Sequence, residues 1–155
     1  MLVANLLAGC RDLRRPISPF GIFCLQAALR EQNRPLQGMK VVVQGFGNVG
    51  SFFAKFCTEL GATVIAISDS TGGIHNAKGS DIAAAFAHKR GGGSLTELKG
   101  GDTISNEELL LLECDVLAPC ALEQVITEEN ADKVKAKLLV EGANGPITPA
   151  ADEIL

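Results

Sequence analysis

A change of hydrophobic period at residues 39–60 constrains the fold of this chain more than any other feature. The β-branched run "MKVVVQ" predicts a buried central strand over residues 39–44, and residues 48–60 are typical of a helix. Between them Gly45, Gly47 and Gly50 satisfy the pattern G-x-G-x-x-G. In such a turn the first glycine permits a sharp bend, the second permits close approach of a pyrophosphate, and the third permits tight helix packing. The unit therefore predicts dinucleotide binding, with a purely packing role for the glycines as the alternative.

The remaining pattern alternates strands and helices. This alternation predicts an α/β fold with a doubly wound, mainly parallel sheet, that is, a Rossmann-like NAD(P)-binding domain. Because a helix begins at Thr148-Pro149 shortly before Leu155, we expect the domain to be incomplete at its C-terminus. The expected organisation is an irregular or diverged N-terminal segment, 1–19, and a truncated dinucleotide-binding domain, 20–155. The further predicted elements are helices over 20–32 and about 80–90, and strands over 62–69, 114–119 and within 136–144.

Several shorter segments carry local signals. The "STGG" run at 70–73 predicts a loop, and the glycine-rich run 91–102 predicts an irregular connection. Ser105 and Glu108 have the spacing of a capping box, and Thr127 is predicted to begin a short polar helix.

Composition excludes several classes of function. The net charge of −4 without a basic block argues against nucleic-acid and anionic-membrane partners. Five scattered cysteines without a C-x-x-C pair predict buried thiols in a reducing compartment, and hence a cytoplasmic protein, with mitochondria as the alternative. With two histidines the sequence shows neither a Ser-His-Asp set nor metal-ligand spacing.

The second predicted strand ends in an acidic residue. Asp69 follows Gly50 by about 20 residues, where a carboxylate is expected to bind the adenosine ribose 2′-hydroxyl. Such a carboxylate repels a 2′-phosphate, which favours NAD. The hydroxyls of Ser70 and Thr71 could instead accept a phosphate, so the sequence predicts NAD or NADP, with a slight preference for NAD.

Two long segments carry a family resemblance. The segments "GMKVVVQGFGNVGSFFAKFCTELGATVIAISDSTGGIHN" and "CDVLAPCALEQVITEENADKVKAKLLVEGANGPITPAADEIL" resemble the dinucleotide-binding domain of the glutamate dehydrogenases. That family also contains leucine, phenylalanine and valine dehydrogenases. The form "EGANGP" is more similar to the glutamate enzymes than to the others.

The resemblance implies a set of site residues. It places the nicotinamide ribose near Cys120 and Ala121, and the nicotinamide end near Asn144. Ser18 stands where the family has a threonine that touches substrate or nicotinamide. The contacts to the adenosine ribose fall on Asp69 or Ser70. The main-chain contacts to the pyrophosphate fall on Phe46, Gly47, Asn48 and Val49.

The resemblance also implies a reaction. The intact enzyme, a homo-oligomer, would oxidatively deaminate L-glutamate to 2-oxoglutarate and ammonia with NAD or NADP. The family's catalytic lysines and aspartate lie on a separate, earlier domain, so we expect no catalytic residue in this chain and no activity from it alone. The alternatives are a non-catalytic nucleotide-binding module or gene remnant, and a leucine, phenylalanine or valine dehydrogenase.

Overall fold

A computed structural model describes residues 2–5 and 18–155 of the chain. Its strands are β1 (Leu2–Asn5), β2 (Lys40–Gln44), β3 (Thr63–Asp69), β4 (Gly72–His75), β5 (Asp102–Ile104), β6 (Val116–Pro119) and β7 (Leu138–Glu141). Its α-helices are α1 (Ser18–Glu31), α2 (Asn48–Glu59), α3 (Ile82–Arg90), α4 (Asn106–Leu110) and α5 (Pro149–Asp152), and two 3₁₀ turns span Leu95–Glu97 and Ala131–Lys133.

The strands form one sheet in the order β1-β7-β6-β2-β3-β4-β5. The pairs β1–β7, β7–β6, β6–β2 and β2–β3 are parallel, whereas β3–β4 and β4–β5 are antiparallel. The predicted mainly parallel α/β sheet is therefore confirmed, with an antiparallel extension at one edge.

Helices cover both faces of the sheet because alternate residues of its central strand point in opposite directions. Val41 and Val43 pack with α1 and α2 residues such as Leu25 and Phe53, whereas Val42 packs in a second cluster with Leu109 of α4. All three valines are fully buried. A strand apolar at successive positions needs cover on both faces, which is the doubly wound arrangement.

Most predicted elements are present, with boundaries moved by a few residues. The Asp81 side chain caps α3 by accepting a hydrogen bond from the Ala84 backbone N–H. Ser105 and Glu108 form the predicted capping box at the start of α4. The Thr148 side chain caps α5, and Pro149 occupies its first turn.

Three local predictions are wrong. The predicted loop at 70–73 contains the start of β4, whose residue Gly73 lies so close to Ile67 O that a side chain there would overlap it. The predicted irregular run 91–102 contains a 3₁₀ turn with a Ser94–Glu97 capping box and the start of β5. The polar helix predicted at Thr127 is a turn followed by the 3₁₀ turn Ala131–Lys133.

The N-terminal region adds one element to the sheet. Strand β1 pairs with β7 and lies inside the segment 1–19, where the sequence indicates no regular structure. The basic, proline-interrupted run over residues 10–18 predicts a linker or loop; residues 10–17 lie outside the described residues, and Ser18 begins α1 instead. In the part of the chain that the structure describes, no helix is long and apolar enough to cross a membrane.

The prediction of buried thiols is confirmed for two cysteines. Cys57 and Cys114 are buried, and burial raises the pKa of the Cys114 thiol to about 12 and raises that of Cys57 above its usual range. Both side chains therefore act as small apolar core residues at neutral pH.

Candidate functional site

The glycine loop, residues 45–50, joins the carboxyl end of β2 to the start of α2. Gly47 is the N-cap of α2 in an extended conformation, with no side-chain capping bond. The N–H groups in the first turn of an α-helix lack intrahelical partners and, with the helix dipole, favour an anion. Gly47 and Asn48 are exposed, so this end of α2 is accessible from solvent.

Two of the three glycines are explained by packing and the third is not. Gly45 has φ +92°, and a Cβ there would overlap Ala121. A Cβ at Gly50 would overlap the carbonyl oxygen of Gly45. At Gly47, by contrast, an added Cβ would meet no atom within 4 Å. Packing therefore accounts for Gly45 and Gly50, whereas among the described residues no contact requires a glycine at position 47.

The loop is held from below by one apolar and one polar contact. Phe46 is buried, and its ring meets that of Phe86 in α3 edge-on at a centroid distance of 5.5 Å. The backbone N–H of Gly45 donates to Oγ of Ser68, 3.3 Å away, and Ser68 is fully buried. The sheet and α3 together fix the position of the exposed residues above them.

A cavity of about 380 Å³ lies beside the loop, at the carboxyl ends of the strands. Ligands of open parallel sheets bind in such a position. Of the predicted site residues, Asp69, Ser70 and Ala121 line this cavity. The other lining residues are Gln44, Asn106, Glu107, Leu110, Leu122, Val125 and Asn130.

Two residues that line this cavity have a buried amide oxygen for which the described residues provide no hydrogen-bond partner. The two oxygens are Oε1 of Gln44, a residue only 4% exposed, and Oδ1 of Asn106. Asn106 uses its Nδ2 to donate to the backbone oxygen of Asp69 at 2.9 Å. Because a buried unpaired acceptor costs free energy, each of these oxygens is a candidate acceptor for a ligand that carries donors.

The carboxylate of Asp69 is held by four hydrogen bonds. Its Oδ1 accepts from the backbone N–H of Thr71 at 2.8 Å and from Oγ1 of Thr71 at 2.6 Å. Its Oδ2 accepts from Nζ of Lys89 at 2.8 Å and from the backbone N–H of Leu95 at 3.1 Å. Ser94 Oγ lies 2.5 Å from Thr71 Oγ1. We refer to Asp69, Thr71, Lys89, Ser94 and Leu95 as the Asp69 cluster.

These bonds set the charge state of Asp69. Partial burial acts to raise the pKa of the carboxyl, but the hydrogen bonds from Lys89, Thr71 and Leu95 outweigh it and lower the pKa to about 2. Asp69 is therefore ionised at neutral pH and already paired with the Lys89 ammonium.

The ends of β6 and β7 complete this edge of the sheet. The backbone N–H of Cys120 donates to the carbonyl of Gln44 at 2.7 Å, which ties the end of β6 to that of β2. The N–H groups of Gly142 and Ala143 donate to the carbonyl of Pro119 at 2.9 and 3.1 Å. Burial raises the pKa of the Cys120 thiol to about 12, which favours the neutral thiol over the thiolate at neutral pH.

Not every predicted residue lies at the cavity. Asn144 is exposed in the loop after β7 and is not part of the cavity lining. Ser18 is the first residue of α1, and its side chain lies outside the described part of the structure. Among the described residues no group of His, Cys, Asp or Glu side chains is arranged to hold a metal ion.

A larger cavity of about 640 Å³ lies between α2 and α3, lined in part by Phe52, Ile82 and Phe86. The Phe52 and Phe86 rings meet edge-on across it at 5.7 Å. Neither cavity is lined by residues 45–50, but only the smaller one is lined by residues at the carboxyl ends of strands, Gln44 and Asp69, so it is the better candidate site.

Sequence reasoning missed four residues of this edge. Gln44 and Ser68 are polar residues near the carboxyl ends of otherwise apolar strands. That pattern could have indicated that both lie at the edge of the sheet beside the glycine loop. Lys89 and Asn106 reach Asp69 from 20 and 37 residues away, and no local pattern marks them.

The fold and this edge define a class of protein, a Rossmann-like α/β domain with a glycine loop at the start of its second helix. The family model for Glutamate/Leucine/Phenylalanine/Valine dehydrogenase matches residues 18–155, and the chain belongs to that family.

Its relatives carry both coenzyme names. The chain is 51% identical over 120 residues to an NADP-specific glutamate dehydrogenase of Saccharolobus shibatae, covering 77% of this chain and 28% of the relative. It is 46% identical over 150 residues to an NAD-specific glutamate dehydrogenase of Staphylococcus aureus, covering 97% of this chain and 36% of the relative.

A solved structure has the same fold. It is a hetero-hexameric glutamate dehydrogenase from Thermus thermophilus, with a TM-score of 0.79 and 33% identity, covering 86% of this chain and 31% of that one. The chain thus spans only about a third of the length of the proteins it matches.

Proposed function

We propose that this chain is the coenzyme-binding part of an NAD- or NADP-dependent glutamate dehydrogenase. The observation that carries the proposal is the open face of Gly47 at the N-terminus of α2, beside two glycines that packing already explains. The residues fit a dinucleotide, because an unobstructed helix N-terminus suits a pyrophosphate and unpaired amide oxygens suit a ligand with donors.

The predicted site residues take their roles along this edge. Backbone N–H groups of Phe46, Gly47, Asn48 and Val49 surround the pyrophosphate, and Gly45 and Gly50 give the loop its shape. Asp69 or Ser70 lies at the adenosine ribose, Cys120, Ala121 and Asn144 lie toward the nicotinamide, and Ser18 lies toward the nicotinamide or substrate. The bound nicotinamide would supply hydride transfer, while these residues bind and orient the coenzyme.

The reaction belongs to the intact enzyme. Relatives named as NAD-specific and NADP-specific glutamate dehydrogenases support interconversion of L-glutamate with 2-oxoglutarate and ammonia. A neighbour described as hetero-hexameric supports an oligomeric enzyme, for which we propose a homo-oligomer. We propose that the catalytic residues belong to another part of the intact enzyme, so that this chain binds coenzyme without turning over glutamate.

Calorimetric titration of the chain with NAD and NADP tests this function. We expect Gly47→Val to weaken coenzyme binding at least tenfold, because the new side chain occupies the space that the pyrophosphate needs. Thr58→Val, at an exposed position near the other end of α2, is the matched control and should bind as the unmodified chain does.

Circular dichroism of both variants checks that each remains folded. Unchanged affinity in Gly47→Val would show that the glycine loop is not the pyrophosphate site. Glutamate-dependent reduction of NAD or NADP, assayed on the same preparation, should be absent, and turnover would contradict the assignment of catalysis to another part of the enzyme.

A further inference from the structure

The cavity between α2 and α3 has the size and lining of a small-molecule site. Its volume is about 640 Å³, and cavities of roughly 300–1,000 Å³ hold small organic ligands. Its apolar wall comes from one face of each helix and consists of Phe52, Ile82, Ala83, Phe86 and Ala87. The Phe52 ring meets Phe86 edge-on and is 40% exposed, so part of this aromatic wall is open to solvent. Such a wall suits a ligand that carries an aromatic ring.

The charged residues at this cavity carry an excess of positive charge. Nζ of Lys55 lies 3.8 Å from Oε1 of Glu59, one turn further along α2, so these two charges offset each other. Arg90 also lines the cavity, and among the described residues no carboxylate lies within ion-pair distance of its guanidinium. A guanidinium presents paired N–H donors that match the two oxygens of a carboxylate. The cavity therefore favours an anionic ligand with its charge on Arg90.

The directions of the two helices bring Arg90 to the aromatic part of the cavity. Helix α2 begins at the carboxyl end of β2 and runs back toward the start of β3. Helix α3 runs the opposite way, because it starts after the antiparallel β4 and its last turn bonds to the last residue of β3. Phe52, near the start of α2, therefore lies at the same end of the cavity as Arg90, which follows Phe86 by one turn. A ring and a carboxylate joined by a short spacer fit this arrangement.

We propose that this cavity binds an aromatic carboxylate, with the carboxylate on Arg90 and the ring against Phe52 and Phe86. The site is separate from the proposed coenzyme site, because this cavity shares no lining residue with the one at the ends of the strands. The proposal goes beyond the coenzyme-binding function and does not depend on it.

Fluorescence titration with 2-naphthylacetate at neutral pH tests the proposal, with 2-(2-naphthyl)ethanol as the uncharged reference ligand. The chain contains no Trp and no Tyr, so the naphthyl emission can be followed without interference from the protein. We expect saturable binding of the acid, at least about fivefold tighter than that of the alcohol, because only the acid pairs with a guanidinium.

Substitutions at Arg90 test the charge preference. Arg90→Met should bind the acid about as weakly as the alcohol and should leave the affinity for the alcohol unchanged. Arg90→Lys should keep part of the preference, since it keeps the positive charge. Lys99→Met removes one positive charge at an exposed position outside the cavity, so it is the matched control and should bind both ligands as the unmodified chain does.

A pair of substitutions in α3 tests the location. Ala87→Phe, at an exposed position that lines the cavity, should weaken both naphthyl compounds at least about tenfold, because the new ring occupies the space of the ligand. Ala84→Phe makes the same change at an exposed position of the same helix that does not line the cavity, and it should leave binding unchanged. Gly47→Val, which alters the proposed coenzyme site, should also leave binding unchanged.

Circular dichroism checks that each variant is folded, and if Ala87→Phe does not fold, Arg90→Met and Lys99→Met decide the question by themselves. No saturable binding of the acid by the unmodified chain would overturn the site. Equal affinities for the acid and the alcohol would overturn the role of Arg90. Equal effects of Ala87→Phe and Ala84→Phe would show that the naphthyl compounds bind elsewhere on the chain.

Discussion

The glycine loop and the Asp69 cluster lie at the same edge of the sheet but are held in place by different physics. The loop is fixed by shape, since Gly45 and Gly50 sit where a Cβ would overlap neighbouring atoms. The cluster is fixed by hydrogen bonds among the β3–β4 turn, the end of α3 and a 3₁₀ turn. One region therefore depends on the absence of side chains and the other on a network of them.

The largest loss of unfolding free energy is expected at Gly50 in the glycine loop, where only the shape of the packed backbone matters. Gly50→Ala places a Cβ against the carbonyl oxygen of Gly45. Gly45 lies two positions after Val43, which is fully buried in β2. Because both backbone segments are packed, we expect the free energy of unfolding to fall by about 3 kcal/mol or more. Urea denaturation followed by circular dichroism measures it.

The matched control is the neighbouring glycine. Gly47→Ala meets no atom within 4 Å, so its unfolding free energy should change by less than about 1 kcal/mol, the scale of a weaker N-cap. Equal losses in both variants would contradict the division of the loop into packed and open glycines.

The same contrast explains what could be predicted from the sequence. The loop lies within one strand–turn–helix unit, so the spacing of Gly45, Gly47 and Gly50 was sufficient to predict its form. The existence of the buried strands and the start of α5 at Thr148 were predictable for the same reason, since each signal lies within a few neighbouring positions.

The Asp69 cluster and the strands around it were not predictable. Lys89 meets Asp69 only because α3 packs so that its last turn reaches the end of β3. Strand β4 contains two glycines, which disfavour strands, and β5 has three residues, so both exist only through antiparallel pairing with neighbours. Asp69 itself was found by its spacing, but its bonding partners were not.

A smaller loss of stability is expected for a substitution in the Asp69 cluster, because several hydrogen bonds hold it and one substitution does not remove them all. Asp69→Asn removes the charge that pairs with Lys89 and should lower the unfolding free energy at neutral pH by at most about 2 kcal/mol. Thermal or urea unfolding measures the loss. Asp132→Asn, at an exposed position in a 3₁₀ turn, should change it by less than about 0.5 kcal/mol.

The pH dependence has a definite sign. The folded-state pKa of Asp69, about 2, lies below its unfolded value near 4, so its contribution is complete above about pH 4. It is lost as the pH falls through about 2. The stability difference between the unmodified chain and Asp69→Asn should therefore disappear over that interval, and a difference that persists unchanged at pH 2 would contradict the ionised pair.

The smallest expected effect compares two buried polar side chains beneath the loop, one paired and one not. Ser68→Ala removes the acceptor of the Gly45 N–H and should cost about 1 kcal/mol. Gln44→Met removes an amide whose Oε1 has no partner, so without coenzyme the unfolding free energy should stay the same or rise by up to about 1 kcal/mol. Urea denaturation of both variants measures the two changes in unfolding free energy. A loss for Gln44→Met as large as that for Ser68→Ala would mean that this amide stabilises the empty domain, and would remove its unpaired oxygen as an indication of a bound ligand.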